Sequence, residues 1–325
     1  MGNLIAGRWI STDQRPAGQF IRKDSQFRNW ITKDGSPGSS GVGGFKAEAG
    51  RYHLYASLAC PWASRALIFR SLKGLDQRMV GLSVTHWLLD ERGWNFANGE
   101  GVVADGVNGV EFLHQLYTRA NPTYSGRVTV PVLWDKQRHA IVSNESAEII
   151  RMFNNAFDGV GARPGDYYPE PLRAEIDRLN MRIYDTVNNG VYKAGFAGTQ
   201  EAYEAAVVPL FQSLDWLEQH LQSRRFLAGE KPTEADWRLF TTLVRFDAVY
   251  HGHFKCNIRR LIDYPNLWAY TRELYQWPGI AATVNLMHIR RHYYMSHRHI
   301  NPTGIVPIGP DIDFDVPSGR NTPSA

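Results

Sequence analysis

Residues 51–84 read RYHLYASLACPWASRALIFRSLKGLDQRMVGLSV. The first six residues of this stretch, 51–56, have the composition of a strand, whereas 62–72 carries apolar side chains at helical spacing. Residues 79–84 then have the pattern of a second strand. A strand, a helix and a strand in this order predict a βαβ unit with parallel strands and a right-handed crossover. We therefore expect the N-terminal part of the chain to be α/β.

Cys60 lies at the junction between the first strand and the helix. Pro61 suits the first helical position because it has no N–H to lose there. The unpaired N–H groups and the positive end of the helix dipole stabilise a thiolate, so we expect a lowered pKa for the Cys60 thiol. A free cysteine is more often a small buried apolar side chain. The strand–Cys–Pro–helix order instead favours a thioredoxin-like redox site.

Ala63 occupies the position at which a Cys-x-x-Cys motif would carry its second thiol. Without that thiol, a disulfide formed on Cys60 cannot be resolved within the motif and must be cleared by an external thiol. The sequence therefore predicts a small-thiol cosubstrate.

Composition limits the class of protein. A length of 325 residues indicates two domains with additional arms. The formal net charge is +4, and the 36 basic residues are spread along the chain, so we expect no nucleic-acid partner. No apolar run approaches the ~18 residues of a membrane span, so we expect no membrane partner. Two cysteines and an N-terminus without a secretory pattern predict a cytoplasmic protein.

Changes in pattern along the chain predict its domain boundaries. A Gly- and Ser-rich run at 35–44 has linker composition, and apolar residues at steps of three and four after 172 indicate a helical bundle. The predicted segments are an N-terminal arm and linker (1–45), a thioredoxin-like domain (46–158) with an inserted loop (86–126), a linker (159–171), a helical domain (172–300) and an extended tail (301–325).

Residues 128–135 have strand character but contain Pro131, and 139–142 suits a hairpin partner. In a thioredoxin-like fold, a proline at this place is cis and faces the cysteine, so we predict a cis bond before Pro131. Ser143 to Ser146 lead into a helix whose first N–H groups could bind an anion. Thr233 and Asp236 form a variant capping box at another helix start, for which we expect a structural role.

Six blocks of sequence resemble the glutathione transferases, and most closely their Xi class, the S-glutathionyl-hydroquinone reductases. In chain order the blocks cover residues 60–63, 92–96, 127–135, 143–150, 188–197 and 290–297. The resemblance implies a glutathione transferase fold, α/β plus all-α, with a thioredoxin-like N-terminal domain and a helical-bundle C-terminal domain. It also implies a homodimer that uses glutathione as a cosubstrate, with no permanently bound cofactor.

The resemblance also assigns a glutathione-binding site. It implies that Glu145 and Ser146 hold the γ-glutamyl end, that Val128 pairs its backbone with the peptide, and that Trp94 and Arg127 complete the pocket. A carboxylate suits the free amine, a helix N-terminus suits the α-carboxylate, and pairing at Val128 is strand addition. Glu145 could equally be only a favourable charge in a first helical turn, and Trp94 only a core anchor.

For the aromatic substrate, the resemblance implies binding by Tyr192, His292 and Tyr293, with both tyrosines as catalytic candidates. Bulky residues in such segments ordinarily serve a core or an interface. The His251-Gly252-His253 run near Cys256 could suggest a metal, but no fourth ligand at customary spacing is visible, so we predict no metal site.

The implied activity is reduction of S-glutathionyl-hydroquinones by glutathione. The Cys60 thiolate would attack the glutathionyl sulfur, form a mixed disulfide and expel the hydroquinone, after which a second glutathione would release glutathione disulfide. Two alternatives remain open. One is an omega-like thiol transferase or dehydroascorbate reductase that uses the same cysteine, and the other is a noncatalytic glutathione-fold binding protein.

Overall fold

The computed structural model describes residues 2–11 and 24–320, and these residues form two compact units. The first unit contains 2–11, 24–165 and 283–296. The second contains 166–282 and 297–320. The division after residue 165 lies within the predicted linker of 159–171.

An antiparallel hairpin is the first described element, with strands β1 (Gly2–Ile5) and β2 (Arg8–Ser11). The Leu4 N–H donates to the Gly126 carbonyl at 3.0 Å, and the Gly126 N–H donates back to the Leu4 carbonyl at 2.9 Å. The predicted arm of 1–45 therefore contains a local strand pair that its polar composition did not indicate.

A four-stranded mixed sheet forms the centre of the first unit, in the strand order β4-β3-β5-β6. Its elements, with the helices between them, are β3 (Tyr52–Ala56), α1 (Pro61–Leu72), β4 (Val80–Val84), α2 (Leu113–Ala120), β5 (Val132–Asp135), β6 (Ala140–Ser143) and α3 (Ser146–Asn155). Leu54 lies opposite Leu82 in the parallel β3–β4 pair and opposite Leu133 in the antiparallel β3–β5 pair. The parallel βαβ unit and the β5–β6 hairpin are thus confirmed.

The bond between Val130 and Pro131 is cis, as predicted. Strand β5 begins only at Val132, so the strand predicted over 128–135 is shorter than expected. The proline lies outside the ladder because its nitrogen has no hydrogen to donate to a neighbouring strand.

Helix α2 lies within the segment predicted to be an inserted loop without a sustained period. Leu113, Leu116 and Tyr117 are its buried residues, at the spacing of one helix face. The side chain of Gln115 accepts from the backbone N–H of Phe112 at 2.9 Å and so caps the helix start. The expectation of an irregular segment over 86–126 was therefore wrong for these eight residues, because two turns are too short to show a clear period.

The second unit is helical. Its helices are α4 (Arg173–Ile183), α5 (Gly190–Gly195), α6 (Gln200–His220), α7 (Glu234–Leu243) and α8 (Pro265–Tyr275), and π-helical turns follow α4 at Tyr184–Asn188 and α7 at Phe246–Tyr250. The predicted capping box is confirmed, because Asp236 accepts from the backbone N–H of Thr233 at 2.7 Å and from its hydroxyl at 2.8 Å. Within the described ranges, no helix is long and apolar enough to cross a membrane.

The C-terminal segment is extended but anchored to α8. Phe314 is buried against the rings of Trp268 and Tyr275. The side-chain amide of Gln276 donates to the Phe314 carbonyl at 2.7 Å. The described part of the predicted tail is therefore held along the second unit.

Helix α9 (Leu286–Ser296) belongs to the first unit, although the sequence placed it in the helical domain of 172–300. Three side chains at intervals of four residues bind the backbone of the 86–126 segment. They are His288, bonded to the Glu100 carbonyl at 2.6 Å, His292, bonded to the Trp87 carbonyl at 2.8 Å, and Ser296, which accepts from the Leu89 N–H at 3.0 Å. Helical periodicity identifies α9 as a helix but does not say which unit its polar face contacts.

Strand β3 carries a buried imidazole. His53 is 4% exposed, and its Nε2 lies 2.9 Å from the Ser83 hydroxyl. Burial lowers the pKa of His53 to about 4, against 6.5 for an unperturbed histidine. Between these pH values the unfolded chain binds a proton that the folded chain does not, so stability falls as the pH is lowered through this window.

We expect the free energy of unfolding to lose up to about 3 kcal/mol from this one group between pH 6.5 and pH 4. In His53→Gln this part of the pH dependence should disappear, and guanidinium unfolding at several pH values measures it. His139→Asn, at an exposed position, should keep the wild-type slope. An unchanged slope in His53→Gln would contradict the assignment.

Candidate active site

Cys60 is the N-cap residue of α1. Its carbonyl accepts the first helical hydrogen bond from the Ser64 N–H at 2.9 Å. Its side chain is 8% exposed, and the thiol can donate to the Val130 carbonyl, which lies 3.7 Å from Sγ. The thiol therefore lies against the residue that precedes the cis Pro131.

The start of α1 favours an anion at this sulfur. The first turn carries no acidic side chain, and the Cys60 side chain makes no capping hydrogen bond. First-turn N–H groups have no partner within a helix, and they form the positive end of its dipole. A thiolate at the N-cap position is stabilised by both effects, as a nucleophilic cysteine requires.

The structure offers no second reactive thiol in the described residues. Ala63 is fully buried and has no sulfur, and neither Cys60 nor Cys256 forms a disulfide. Cys256 belongs to the second unit and is fully buried, and that burial raises the pKa of its thiol. A thiol that resists ionisation is a poor resolving nucleophile.

One histidine of the run near Cys256 contacts a second imidazole. Nε2 of His253 lies 3.2 Å from Nδ1 of His297, and both side chains are buried. Over the ranges that the structure describes, no group of three or more His, Cys, Asp or Glu side chains is arranged to hold a metal ion.

Val128 presents an open backbone edge before the cis proline. Its N–H and carbonyl have no hydrogen-bond partner among residues 2–11 and 24–320. An extended peptide can pair with such an edge as an added strand. Arg127 beside it is exposed, and its carbonyl accepts from the Tyr124 hydroxyl at 3.1 Å.

Glu145 is the N-cap of α3, and Ser146 is the first residue of that helix. One oxygen of the Glu145 carboxylate accepts from the Ala147 N–H at 3.0 Å. The other oxygen accepts from the Ser25 hydroxyl at 3.1 Å. Glu145 therefore caps α3 from the position before its first turn, whereas the sequence left open a charge within that turn. The half-buried carboxylate can still accept from a further donor such as an ammonium group.

Trp94 lies in the segment between β4 and α2 and is 8% exposed. Its carbonyl accepts from the Leu113 N–H at 2.9 Å, and its indole stacks on His292 with ring centroids 4.9 Å apart. Gly93 precedes it with a φ of +88°, a conformation that side chains with a Cβ rarely adopt. Helix α9 thus fixes Trp94 through His292.

The aromatic candidates divide between the units. Tyr293 is 1% exposed on α9, with its ring 5.4 Å from that of His292. Tyr192 is half-buried on α5 in the second unit, where its ring contacts Tyr250 and Phe254. The first unit therefore holds every predicted site residue except Tyr192, namely Cys60, Trp94, Arg127, Val128, Glu145, Ser146, His292 and Tyr293.

A cleft of about 570 Å³ in the first unit lies elsewhere. It is lined by residues between 86 and 112, including His86, Asp90 and Arg92, and by none of the predicted site residues. This cleft is therefore separate from the start of α1, where Cys60 lies.

Three polar residues near the site were missed in the sequence. They are Ser25, Tyr117 and Asn144. The Ser25 hydroxyl donates to the Glu145 carboxylate, and the side-chain amide of Asn144 donates to the Tyr117 hydroxyl at 3.1 Å. Asn144 is adjacent to Glu145 in a polar run before a helix, which was a usable signal. Ser25 and Tyr117 gave none, because their partners are distant in the sequence.

Comparison with known proteins agrees with this architecture. The chain is 59% identical to glutathionyl-hydroquinone reductase YqjG of Escherichia coli over 99% of both chains, and 55% identical to glutathionyl-hydroquinone reductase PcpF of Sphingobium chlorophenolicum over 95% and 96%. The glutathione-bound structure of YqjG superposes with a TM-score of 0.92 over 98% of this chain and 99% of that one. A Xi-class glutathione transferase from Natrialba magadii, 46% identical, gives 0.91 over 98% and 96%.

A thioredoxin-like unit with an N-cap cysteine and a cis proline, joined to a helical unit, defines a protein of the glutathione transferase fold. Family models described as glutathione S-transferase N-terminal and C-terminal domains match residues 59–156 and 200–273. The chain belongs to the Xi class of glutathione transferases, the family of the glutathionyl-hydroquinone reductases.

The bond from Ser25 to Glu145 generates a prediction. Ser25→Ala should weaken glutathione binding by about fivefold, because one hydrogen bond of about 1 kcal/mol no longer orients the carboxylate. Isothermal titration of glutathione measures the change. Ser40→Ala removes a hydroxyl that bonds Asn29 in the same arm and should leave affinity unchanged. Equal affinities in the two variants would show that Ser25 does not orient the site.

Proposed function

We propose that this protein reduces S-glutathionyl-hydroquinones to hydroquinones, with glutathione as the reductant. The observation that carries the proposal is a single N-cap thiol, Cys60, with alanine at the position of the resolving cysteine. The similarity of the whole chain to two glutathionyl-hydroquinone reductases supports the same substrate class.

The first step is attack of the Cys60 thiolate on the sulfur that joins glutathione to the aromatic ring. The new bond is the Cys60–glutathione disulfide, and the bond that breaks joins sulfur to the ring carbon. Its electron pair stays with the ring, which takes up one proton to become the hydroquinone. The two sulfurs are oxidised to a disulfide and the ring carbon is reduced.

The second step restores the thiol. A second glutathione attacks the glutathionyl sulfur of the mixed disulfide as its thiolate, and Cys60 leaves as a thiolate stabilised at the start of α1. Glutathione disulfide is released. One substrate and one glutathione thus give one hydroquinone and one glutathione disulfide, in a ping-pong cycle that the lack of sulfur at Ala63 requires.

Five residues of the first unit form the proposed glutathione site. Glu145 binds the γ-glutamyl ammonium, and Ser146 binds the α-carboxylate through its hydroxyl and its own backbone N–H at the start of α3. The open backbone of Val128 pairs with the peptide, and Trp94 and Arg127 complete the pocket. The N-cap position of Glu145 and the unpaired Val128 edge in the described ranges support these assignments.

Tyr192 and Tyr293 are the proposed donors to the leaving hydroquinone. The hydroxyl of a phenol can donate a hydrogen bond or a proton. His292 is proposed to act at the substrate end, where its stacking on Trp94 also orders that side chain.

Replacement of the proposed nucleophile tests the function. Cys60→Ser should lower the release of menadiol from glutathionyl-menadiol by at least ~10³-fold, because a serine hydroxyl is neither ionised nor a comparable nucleophile. Liquid chromatography of the released product measures the rate. Cys256→Ala is the matched control and should keep activity within about twofold of the wild type, since its thiol is buried and protonated.

Mass spectrometry after one equivalent of substrate, without free glutathione, should show one glutathionyl adduct, on Cys60. Comparable turnover in Cys60→Ser would reject the nucleophile assignment and favour a binding protein. A disulfide between Cys60 and Cys256 would reject the monothiol cycle. Faster reduction of dehydroascorbate than of glutathionyl-menadiol would favour the thiol transferase alternative.

We also propose that the protein is a cytoplasmic homodimer, as the family resemblance implies. Both cysteines lie in the described residues and neither forms a disulfide, which supports a reducing compartment. Light scattering coupled to gel filtration should give twice the 36.9 kDa mass of one chain. A mass of one chain at micromolar concentration would contradict the dimer.

A further inference from the structure

Tyr117 is a fully buried tyrosine of α2, and it is not one of the predicted site residues. Its hydroxyl donates to the Thr129 carbonyl at 2.8 Å. It accepts from the Thr129 N–H at 3.2 Å and from the Asn144 side-chain amide at 3.1 Å. A phenol has one hydrogen and two lone pairs, so these three bonds use its full capacity.

These bonds connect two separate backbone segments. Thr129 directly follows Val128, whose open edge is the proposed partner of the glutathione peptide. Asn144 directly precedes Glu145, the N-cap of α3. A single buried oxygen therefore links the two segments that are proposed to hold the two ends of the same ligand.

Asn144 is itself held from its other side. Its side-chain oxygen accepts from the Phe27 N–H at 3.2 Å, and its backbone N–H donates to the Phe27 carbonyl at 3.1 Å. This orientation turns the side-chain NH₂ group toward Tyr117. The hydroxyl is a dependable donor at neutral pH, because burial raises the pKa of Tyr117.

We propose that Tyr117 is a positioning residue for glutathione, which fixes the distance between the Val128 edge and the start of α3. The inference rests on the proposed function, because it takes the glutathione site from there. Tyr117 does not contact the ligand in this proposal. Its effect is to hold both binding segments in place before the ligand arrives, which lowers the ordering cost of binding.

An ordinary buried tyrosine of the same unit provides the comparison. Tyr52 is also fully buried, and its hydroxyl donates to a single group, the Lys46 carbonyl, at 2.6 Å. None of the proposed glutathione ligands is bonded to Tyr52 or Lys46 in the described residues. Tyr52→Phe therefore reproduces the loss of a buried hydroxyl without disturbing either binding segment.

Titration of glutathione into full-length Cys60→Ser protein tests the proposal without turnover. Adding Tyr117→Phe should weaken binding by about tenfold, because three groups at the site lose their shared partner. Adding Tyr52→Phe should change affinity by less than about twofold. The melting temperatures of both double variants are measured alongside, so that a general loss of stability is recognised.

Ligand selectivity gives a readout that lost stability alone would not move. Cysteinylglycine lacks the γ-glutamyl group and should bind the parent protein much more weakly than glutathione does. In Tyr117→Phe the ratio of the two dissociation constants should shrink, because α3 no longer meets the γ-glutamyl end at the correct distance from Val128. A merely structural role would leave this ratio unchanged.

If Tyr117→Phe does not fold, Asn144→Ala takes its place. This variant removes one of the three bonds at Tyr117, together with the bond from the Phe27 N–H, and about a threefold loss of affinity is expected. An affinity and a selectivity ratio equal to those of the Tyr52→Phe control would overturn the proposal. Failure of the parent Cys60→Ser protein to bind glutathione would instead contradict the proposed function, and this inference with it.

Discussion

The start of α1 is the constraint on which the rest of this site depends. A helix beginning directly after a central buried strand leaves its first N–H groups facing the end of that strand, and Cys60 occupies the N-cap there. The Val130 carbonyl, which precedes the cis Pro131, lies 3.7 Å from the sulfur. The site therefore offers an electrostatically favoured thiolate beside an open strand edge, and a peptide thiol is the ligand that can use both.

The remaining parts of the first unit supply rigidity around that thiol. Helix α9 binds the 86–126 segment through His288, His292 and Ser296. His292 also stacks on Trp94 and so holds that indole in place. Hydrogen bonds between distant segments, rather than a continuous sheet, thus hold much of the proposed glutathione site. Preorganisation of this kind favours binding because less conformational freedom is lost.

The chemistry follows from having one reactive thiol rather than two. Ala63 removes the internal resolving group, and burial raises the pKa of the other thiol, Cys256. In the proposed cycle a disulfide on Cys60 then persists until an external thiol removes it, so that glutathione is both the group lost from the substrate and the reductant. Ala63 thus distinguishes this site from a dithiol redox site on a similar fold.

The sequence by itself determined the strand and helix segments of the βαβ unit, the N-cap cysteine and the helix start at Ser146, because each depends on residues within a few positions of one another. The cis Pro131 followed from the place of this proline in a thioredoxin-like pattern. It did not determine that α9 packs in the first unit, that Ser25 binds Glu145 from 120 residues away, or that Tyr117 joins Thr129 to Asn144. Local pattern encodes strands, helices and caps through short-range periodicity. Only the tertiary structure decides which distant polar groups satisfy one another, because a buried hydroxyl or carboxylate must find its partner wherever the fold places one.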